Sequence, residues 1–332
     1  MKPFRYEVPN DAFTAAAMLT DEPGAAFLGG GTNLVDLMKL GVETPAFLVD
    51  VSRLPLDEVT RTETGGLLIG ATVRNSALAA HPAVRAGYPV LSQALLAGAS
   101  EQLRNMATTG GNLLQRTRCL YFQDVAKPCN KRRPGSGCPA RTGVHRDLAV
   151  LGASEHCIAT HPSDMAVALA ALDAQVHCTA AGGSRSLPLT ELHRLPGDAP
   201  ERDTVLRHGE LITGVELPSP VPGARSAYRK VRDRASYAFA LASVAAELRV
   251  RQGRVEHVRL AFGGLAAKPW RAESAEEELL GAPATEESFV RAAEAELLAA
   301  RPLSENAFKV PLARRLAVAV LTDLAAPDAR DQ

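Results

Sequence analysis

The sequence has no excess of charge of one sign and no long apolar run. Its 332 residues include 37 basic and 37 acidic side chains, so the formal net charge is zero. Nucleic acids and anionic membranes attract proteins through an excess of Lys and Arg, which this chain lacks. No window approaches the ~20 consecutive apolar residues of a membrane-spanning helix. We therefore expect neither a nucleic-acid partner nor a membrane partner.

The first residues, MKPFRYEVPNDAF, lack the basic stretch and apolar run that mark an export signal. From its own sequence we expect the chain to be soluble and cytoplasmic. Hydrophobic residues make up 46% of the chain and charged residues 22%, which is the balance of a globular protein. At roughly 100–200 residues per domain, this length predicts two or three domains.

Several catalytic motifs are also missing. The chain contains no GxSxG, no HExxH and no P-loop GKS or GKT, and it lacks the GxGxxG fingerprint of the common dinucleotide fold. We therefore expect no catalytic side chain here, and we expect any chemistry to belong to cofactors.

Two glycine-rich loops are the first candidate ligand sites. Residues Gly29 to Asn33 (GGGTN) lie between a short apolar run and a helical stripe, with Thr32 as the expected N-cap. Glycines at such a turn let the backbone approach a pyrophosphate. Residues Thr108 to Asn112 (TTGGN) form a second loop of the same kind. Together their hydroxyls and amides suit a flavin nucleotide, although either loop alone could be a structural turn.

The rest of the chain predicts mixed α and β structure without a regular βαβ repeat. The segment PSPVPG at residues 218–223 is the best candidate for a domain linker, because its three prolines disfavour both a helix and a central strand. Apolar patterning predicts helices over 86–105, 163–174, 287–300 and 310–325, and two strands over 240–251 and 254–262 around Gln252-Gly253.

Four of the five cysteines fall within 39 residues, and three of these lie in one basic segment. The four are Cys119, Cys129, Cys138 and Cys157, and residues 116–146 hold eight basic side chains against the single acid Asp124. The spacing contains no CxxC pair, so it matches neither a zinc ribbon nor a compact ferredoxin run. An iron–sulfur cluster, a structural zinc, two disulfides and four buried thiols all remain open. We expect Cys178 to be a small buried hydrophobe.

Four stretches together resemble a known family: AFLGGGTNLVDLMKLG, QLRNMATTGGNLLQ, ATHPSDMAVALAALDA and AFGGLAAKPWRA. They resemble the FAD-binding medium subunit of the xanthine dehydrogenase and CO dehydrogenase class of molybdenum hydroxylases. The resemblance implies an α+β fold with a two-subdomain FAD-binding domain of the vanillyl-alcohol-oxidase type at residues 1–218. Its subdomains would span about 1–55 and 56–218, and a C-terminal CO-dehydrogenase-flavoprotein-like α+β domain would follow at 224–328.

The resemblance also implies site residues. The expected FAD contacts are Leu28, Gly29, Gly30, Gly31, Thr32, Asn33, Leu34, Ala107, Thr108, Thr109, Gly110, Gly111, Asn112, Asp164, Ile212 and Lys230. Without it, Asp164 would be interpreted as a helix cap and Lys230 as a solvated surface residue. The loop at 116–157 is similar to an insertion in periplasmic aldehyde oxidoreductases, whose flavin subunit carries a [4Fe–4S] cluster. That similarity implies Cys119, Cys129, Cys138 and Cys157 as the metal ligands.

The implied function is electron transfer within a molybdenum-dependent aldehyde oxidoreductase. A subunit with the molybdenum cofactor would oxidise the substrate, a small subunit with two [2Fe–2S] clusters would relay the electrons, and FAD would pass them to an external acceptor. The complex would be a heterotrimer or its dimer, and a signal-bearing partner could carry it to the periplasm.

Three other functions remain open from the sequence. One is the flavin subunit of an enzyme like 4-hydroxybenzoyl-CoA reductase, xanthine dehydrogenase or CO dehydrogenase. Another is a non-redox scaffold with zinc in the cysteine loop. The third is a free-standing flavin oxidase.

Overall fold

The computed structural model describes residues 1–326, in which twelve strands form three sheets. The first is a parallel sheet of β1 (Arg5–Glu7), β2 (Ala25–Leu28) and β3 (Phe47–Asp50), with β3 in the middle. The second sheet contains β4 (Val59–Arg61), β5 (Leu67–Gly70), β6 (Gln175–Ala180), β7 (Gly183–Pro188) and β8 (Leu211–Leu217). It is antiparallel, in the order β4-β5-β8-β6-β7.

The third sheet is antiparallel and lies in the C-terminal part of the chain. It contains β9 (Arg225–Val231), β10 (Ala242–Arg251), β11 (Arg254–Gly263) and β12 (Trp270–Arg271), in the order β12-β11-β10-β9. The predicted hairpin is confirmed: Gln252 and Gly253 both have positive φ angles at the turn between β10 and β11. Residues 218–224, where we predict the domain boundary, lead from β8 to β9, and the predicted end of the second domain at residue 328 lies outside the described residues.

Thirteen α-helices connect and cover the sheets within residues 1–326. The N-terminal ones are α1 (Ala12–Thr20), α2 (Leu34–Lys39), α3 (Asn75–Ala80), α4 (Pro82–Gly87), α5 (Pro89–Ala97), α6 (Glu101–Met106), α7 (Thr109–Leu113) and α8 (Leu120–Gln123). The later ones are α9 (Asp164–Ala171), α10 (Leu189–Leu192), α11 (Glu273–Leu279), α12 (Glu286–Leu297) and α13 (Lys309–Ala325). The two predicted C-terminal helices therefore match α12 and α13 closely.

One predicted helix is divided. The Ala- and Leu-rich stretch 86–105 forms the end of α4, then α5 and α6. Pro89 begins α5, because proline is accepted at a first helical position but not in a helix interior. Gly98 ends α5, and Ala99 takes a positive φ of 51° before Ser100 caps α6. The composition indicated helix correctly, but local breakers set its limits.

Helix α9 lies between the N-terminal part of the chain and the C-terminal sheet. All eight of its residues are buried, and it packs against α5 on one side and against β10 and β11 on the other. Because all of its side chains are buried, and only Asp164 at its start is charged, α9 must be covered on every side and requires both the N-terminal and the C-terminal parts of the chain. None of the helices within residues 1–326 has the length and apolar character needed to cross a bilayer.

Candidate FAD and cysteine sites

A cavity of about 460 Å³ lies where the two glycine loops meet. Its wall includes residues from the start of α2, from α5 and α6, from the second loop and from the beginning of the cysteine segment, residues 116–157. A cavity of this size is in the range of small-molecule and cofactor sites. Among the predicted contacts, the cavity lining contains Gly31, Thr32, Asn33, Leu34, Ala107, Gly111, Asn112 and Asp164.

The first loop places an amide with a free donor in this cavity. The N-cap of α2 is Asn33, not Thr32 as predicted, and the Asn33 side chain makes no capping hydrogen bond. Its Oδ1 instead accepts the Arg116 backbone N–H at 2.7 Å. The Nδ2 group must therefore be the free end of the amide, and it is buried with no hydrogen-bond partner among residues 1–326. A buried donor of this kind requires an acceptor.

The two loops pack backbone against backbone. A Cβ atom at Gly30 would overlap the carbonyl oxygen of Met106, and one at Gly29 would lie 2.9 Å from Thr108 Oγ1. The glycines therefore bring the loops together, with Gly31, at a φ of +74°, turning the chain into α2. Leu28, Gly29 and Gly30 do not line the main cavity but lie behind its wall.

The second loop divides into a structural part and a part that faces the cavity. Thr109 donates through its amide at 2.9 Å and its hydroxyl at 3.1 Å to Val73 O, and the Gly110 amide donates to Ala71 O. Thr108 caps α7 by accepting from the Gly111 amide at 3.2 Å. Asn112 lines the cavity, where its Oδ1 accepts from Ser163 Oγ at 2.5 Å.

Asp164 and Lys230 form a buried ion pair at 2.7 Å. The side chain of Lys230 is only 3% exposed, so interpreting it as a surface residue is wrong. Asp164 is not the helix cap, because Ser163 occupies that position and accepts from the Ala166 amide. The Tyr228 hydroxyl donates to Asp164 at 2.5 Å, and burial, together with the Asp164 charge, raises the pKa of Tyr228 well above its usual value.

Ile212 lies behind the second loop. It borders a smaller cavity of about 50 Å³ together with Gly29, Thr108, Gly110 and Gly111. Several residues of the main cavity wall were not predicted, among them Arg116, Arg118, Tyr237 and Phe239. The two arginines belong to the basic segment already noted, but nothing in their spacing indicates that they face the glycine loops.

The four clustered cysteines surround one small cavity of their own. All are free thiols, which removes the two-disulfide alternative, and Cys178 is buried as expected. Burial raises the pKa of Cys119 and Cys138, and raises the pKa of Cys157 to about 11 against the opposing charge of Lys131. Within residues 1–326, no group of three or more His, Cys, Asp or Glu side chains is arranged to hold a metal ion.

Backbone amides lie close to these sulfurs. The Ala159 amide donates to Cys157 Sγ at 3.5 Å. The amides of Phe122 and Tyr121 act on Cys119, and those of Ile158, Ala140 and Arg141 act on Cys138, in each case lowering the thiol pKa against the effect of burial. Such donors stabilise a thiolate and a ligated sulfur alike.

Almost the whole chain matches two known domain families. Residues 2–220 match the FAD binding domain in molybdopterin dehydrogenase, and residues 226–324 match the CO dehydrogenase flavoprotein C-terminal domain. The chain belongs to the FAD-binding medium subunits of the molybdenum hydroxylases. The predicted family and fold class are therefore confirmed, and the FAD-binding subunit is part of an oxidoreductase of the aldehyde oxidoreductase and dehydrogenase family.

Individual relatives support the same assignment. The FAD-binding subunit is 54% identical over 326 residues to the aldehyde oxidoreductase FAD-binding subunit PaoB of Escherichia coli (strain K12), covering 97% of this chain and 98% of the relative. It is 29% identical to the glyceraldehyde dehydrogenase medium chain of Sulfolobus acidocaldarius, covering 76% and 73%. A solved carbon monoxide dehydrogenase from Hydrogenophaga pseudoflava shares its fold, with a TM-score of 0.77, 24% identity and coverage of 98% and 97%.

The main cavity fits FAD on its own geometry. Gly30 lets the two loops pack closely against each other, and the Asn33 Nδ2 donor, which has no hydrogen-bond partner within residues 1–326, can donate to a phosphate oxygen. Asn112 and the Thr32 hydroxyl add neutral polar groups suited to the rest of a flavin nucleotide. The residues that would hold FAD are thus those of the two loops and Asp164, which Lys230 supports from behind.

Proposed function

We propose that this chain is the FAD- and [4Fe–4S]-binding electron-transfer subunit of a heterotrimeric molybdenum-dependent aldehyde oxidoreductase. The observation that carries the proposal is the convergence of Cys119, Cys129, Cys138 and Cys157 on one cavity in a chain so similar to an aldehyde oxidoreductase subunit. In this proposal electrons arrive from [2Fe–2S] clusters and leave through FAD to an external acceptor.

Three features are compatible with an iron–sulfur cluster at these cysteines. Within residues 1–326 no group of these side chains is arranged to hold a single metal ion, and a cluster of four irons is larger than one ion, so its cysteine ligands stand farther apart than those of a tetrahedral zinc. The Ala159 amide donates to Cys157 Sγ, and amides near Cys119 and Cys138 act in the same sense, as do the hydrogen bonds that tune cluster potentials. The basic residues of segment 116–146 offset the negative charge of a cysteine-ligated cluster.

The protein's own task at the flavin is binding and orientation. FAD supplies the conversion between one-electron and two-electron transfer. The glycine loops provide close backbone contact, Asn33 provides a donor, and the buried pair of Asp164 and Lys230 fixes the charge beneath the cavity.

The proposal also assigns partners and compartment. Substrate oxidation requires a subunit with the molybdenum cofactor, and electron delivery requires a small subunit with [2Fe–2S] clusters. The compartment follows from the partners: the chain stays in the cytoplasm unless a signal-bearing subunit exports the assembled complex to the periplasm.

The test is the cofactor content of anaerobically purified protein. An absorption spectrum with quantified iron, zinc and released flavin should show flavin bands and about four irons per chain. Cys129→Ser should lose iron while still binding flavin, because the cysteine cavity is separate from the glycine loops. The matched control is Cys178→Ser, a buried cysteine on β6 outside the cluster, which should keep its iron. Iron at the wild-type level in Cys129→Ser, or zinc in place of iron, would contradict the cluster.

A further inference from the structure

A buried lysine lies beside the cysteine cavity, and its partners are residues that do not line that cavity. The Lys131 side chain is 4% exposed and lines that cavity. Its Nζ donates to Pro200 O at 2.7 Å and forms an ion pair with Asp203 Oδ1. A charge this deeply buried requires a partner, so Asp203 is needed for Lys131 to keep its position.

The same carboxylate holds an arginine of the FAD cavity. Asp203 Oδ2 lies 2.5 Å from Arg116 Nε, and Arg116 also pairs with Glu43 Oε1 at 2.5 Å. Arg116 lines the FAD cavity, and its backbone N–H is the donor that orients the Asn33 amide. Asp203 is therefore placed between the lysine of one site and the arginine of the other.

These contacts form one continuous path between the two sites. It runs from the cysteine cavity through Lys131, Asp203 and Arg116 to Asn33 in the first glycine loop. Each link is a hydrogen bond or an ion pair between groups that are at least partly buried. Asp203 is exposed for 32% of its side chain and does not line either cavity, so it can act only through its two cationic neighbours.

We propose that Asp203 is a positioning residue that couples FAD binding to the state of the cysteine site. Its carboxylate holds Arg116, whose backbone N–H fixes the Asn33 amide in the wall of the FAD cavity, and it holds Lys131 beside Cys157. Loss of the carboxylate frees Arg116 to turn toward Glu43 alone, and the Asn33 amide loses its fixed orientation. The link from Asp203 to FAD stands on the geometry, whereas the coupling to a metal cluster rests on the function proposed above.

The first experiment measures FAD affinity in the full-length chain. Asp203→Asn keeps the shape of the side chain and removes its charge. We expect its dissociation constant for FAD, followed by the recovery of flavin fluorescence on dilution, to rise about tenfold. The matched control is Asp198→Asn, a fully exposed aspartate on the same segment, which should change the constant less than twofold. An FAD affinity in Asp203→Asn equal to that of the control would overturn the proposal.

A second variant tests the path from its other end. Lys131→Met changes a residue outside the FAD cavity, and we expect it to weaken FAD binding severalfold. Because both residues act through one path, the double variant Asp203→Asn/Lys131→Met should bind FAD no more weakly than Asp203→Asn alone. Additive effects of the two substitutions would show that they act independently and would overturn the coupling.

A third experiment, on the cysteine site, distinguishes the proposed coupling through Asp203 from the proposed iron–sulfur cluster. If the wild-type chain holds iron, Cys129→Ser should weaken FAD binding severalfold, without abolishing it, and should have no further effect in the Asp203→Asn background. An equal effect in both backgrounds overturns the coupling and leaves the cluster in place. If wild-type protein holds no iron, the proposed cluster fails, and the comparison of Asp203→Asn with Asp198→Asn still decides whether Asp203 positions the FAD loop.

Discussion

At the FAD cavity, a missing side chain and an unpaired donor are as important as the groups that make contacts. Gly30 has no side chain where the Met106 carbonyl approaches, and Asn33 Nδ2 has no hydrogen-bond partner within residues 1–326. Both features lower the stability of the protein without a ligand. A glycine loses more backbone entropy on folding than other residues, and an unsatisfied buried donor costs its desolvation free energy. A cofactor phosphate oxygen would supply the acceptor that the Asn33 donor lacks, whereas the space beside Gly30 is filled by the Met106 carbonyl.

Gly30→Ala should sharply reduce flavin content. The added Cβ overlaps the Met106 carbonyl, so the two loops must move apart. The matched control is Gly182→Ala in the turn between β6 and β7, where a Cβ meets nothing within 4 Å. We expect flavin released from purified Gly30→Ala to fall at least tenfold, whereas Gly182→Ala stays at the wild-type level. Equal flavin content in the two variants would show that the first loop does not approach the cofactor.

At the scale of helices and strands, a buried polar contact between α9 and β9 positions the helix beneath the cavity. Lys230 on β9 reaches Asp164 at the start of α9, and its Nζ also donates to Ala97 O at 3.1 Å, at the end of α5. Tyr228, on the same strand, donates to the same carboxylate. Three elements therefore meet in one buried polar cluster directly beneath the cavity, and the position of α9 depends on it.

Lys230→Met should cost about 3–5 kcal/mol of unfolding free energy, because it leaves the buried Asp164 carboxylate without its cation. Arg229→Met is the matched control on the neighbouring position of β9. Its ion pair with Asp323 is about half exposed, so its loss should cost less than about 1 kcal/mol. Urea denaturation of both variants measures the difference, and similar midpoints would contradict a structural role for the buried pair.

At the scale of the whole molecule, the C-terminal helix α13 holds the end of the cysteine segment. The Lys309 side chain is fully buried and donates to the carbonyls of Asp147 at 3.0 Å, Leu148 at 3.0 Å and Gly264 at 2.6 Å. Val150 and Leu151 then enter the core of the C-terminal sheet. The cysteine segment is thus anchored by both halves of the chain, and its stability is that of the whole fold.

This anchor should make stability depend on pH. Burial lowers the pKa of Lys309 to about 7, whereas an unfolded lysine keeps a value of about 10.4. Between these values the unfolded chain binds a proton that the folded chain lacks, so raising the pH stabilises the fold. Below pH 7 both states carry the proton, and this lysine adds no further dependence.

Lys309→Met removes that contribution. The difference in unfolding free energy between wild type and Lys309→Met should therefore grow from pH 7 to pH 9, by about 1 kcal/mol per pH unit. Urea denaturation at pH 7, 8 and 9 measures it. Lys268→Met, which removes a lysine that is only partly buried, provides the control. A difference for Lys309→Met that is constant with pH would contradict a neutral buried lysine.

The sequence by itself determined the features that depend on neighbouring residues. Glycine runs, prolines and apolar periodicity indicated the two loops, the β10–β11 hairpin, α12 and α13, because backbone preferences act over a few residues. Together with the family motifs, these patterns predicted the family and the α+β fold. They misplaced the N-cap of α2 by one residue and missed the break between α5 and α6, where single residues decide the outcome.

Only the tertiary structure decided which distant groups meet. Lys230 and Asp164 are 66 residues apart and Asn33 and Arg116 are 83 apart, and no local pattern relates them. By itself the sequence indicates a surface residue for Lys230 and says nothing of Asp203. Burial and packing change both conclusions, because a charge removed from water must find its partner wherever the fold brings one within reach.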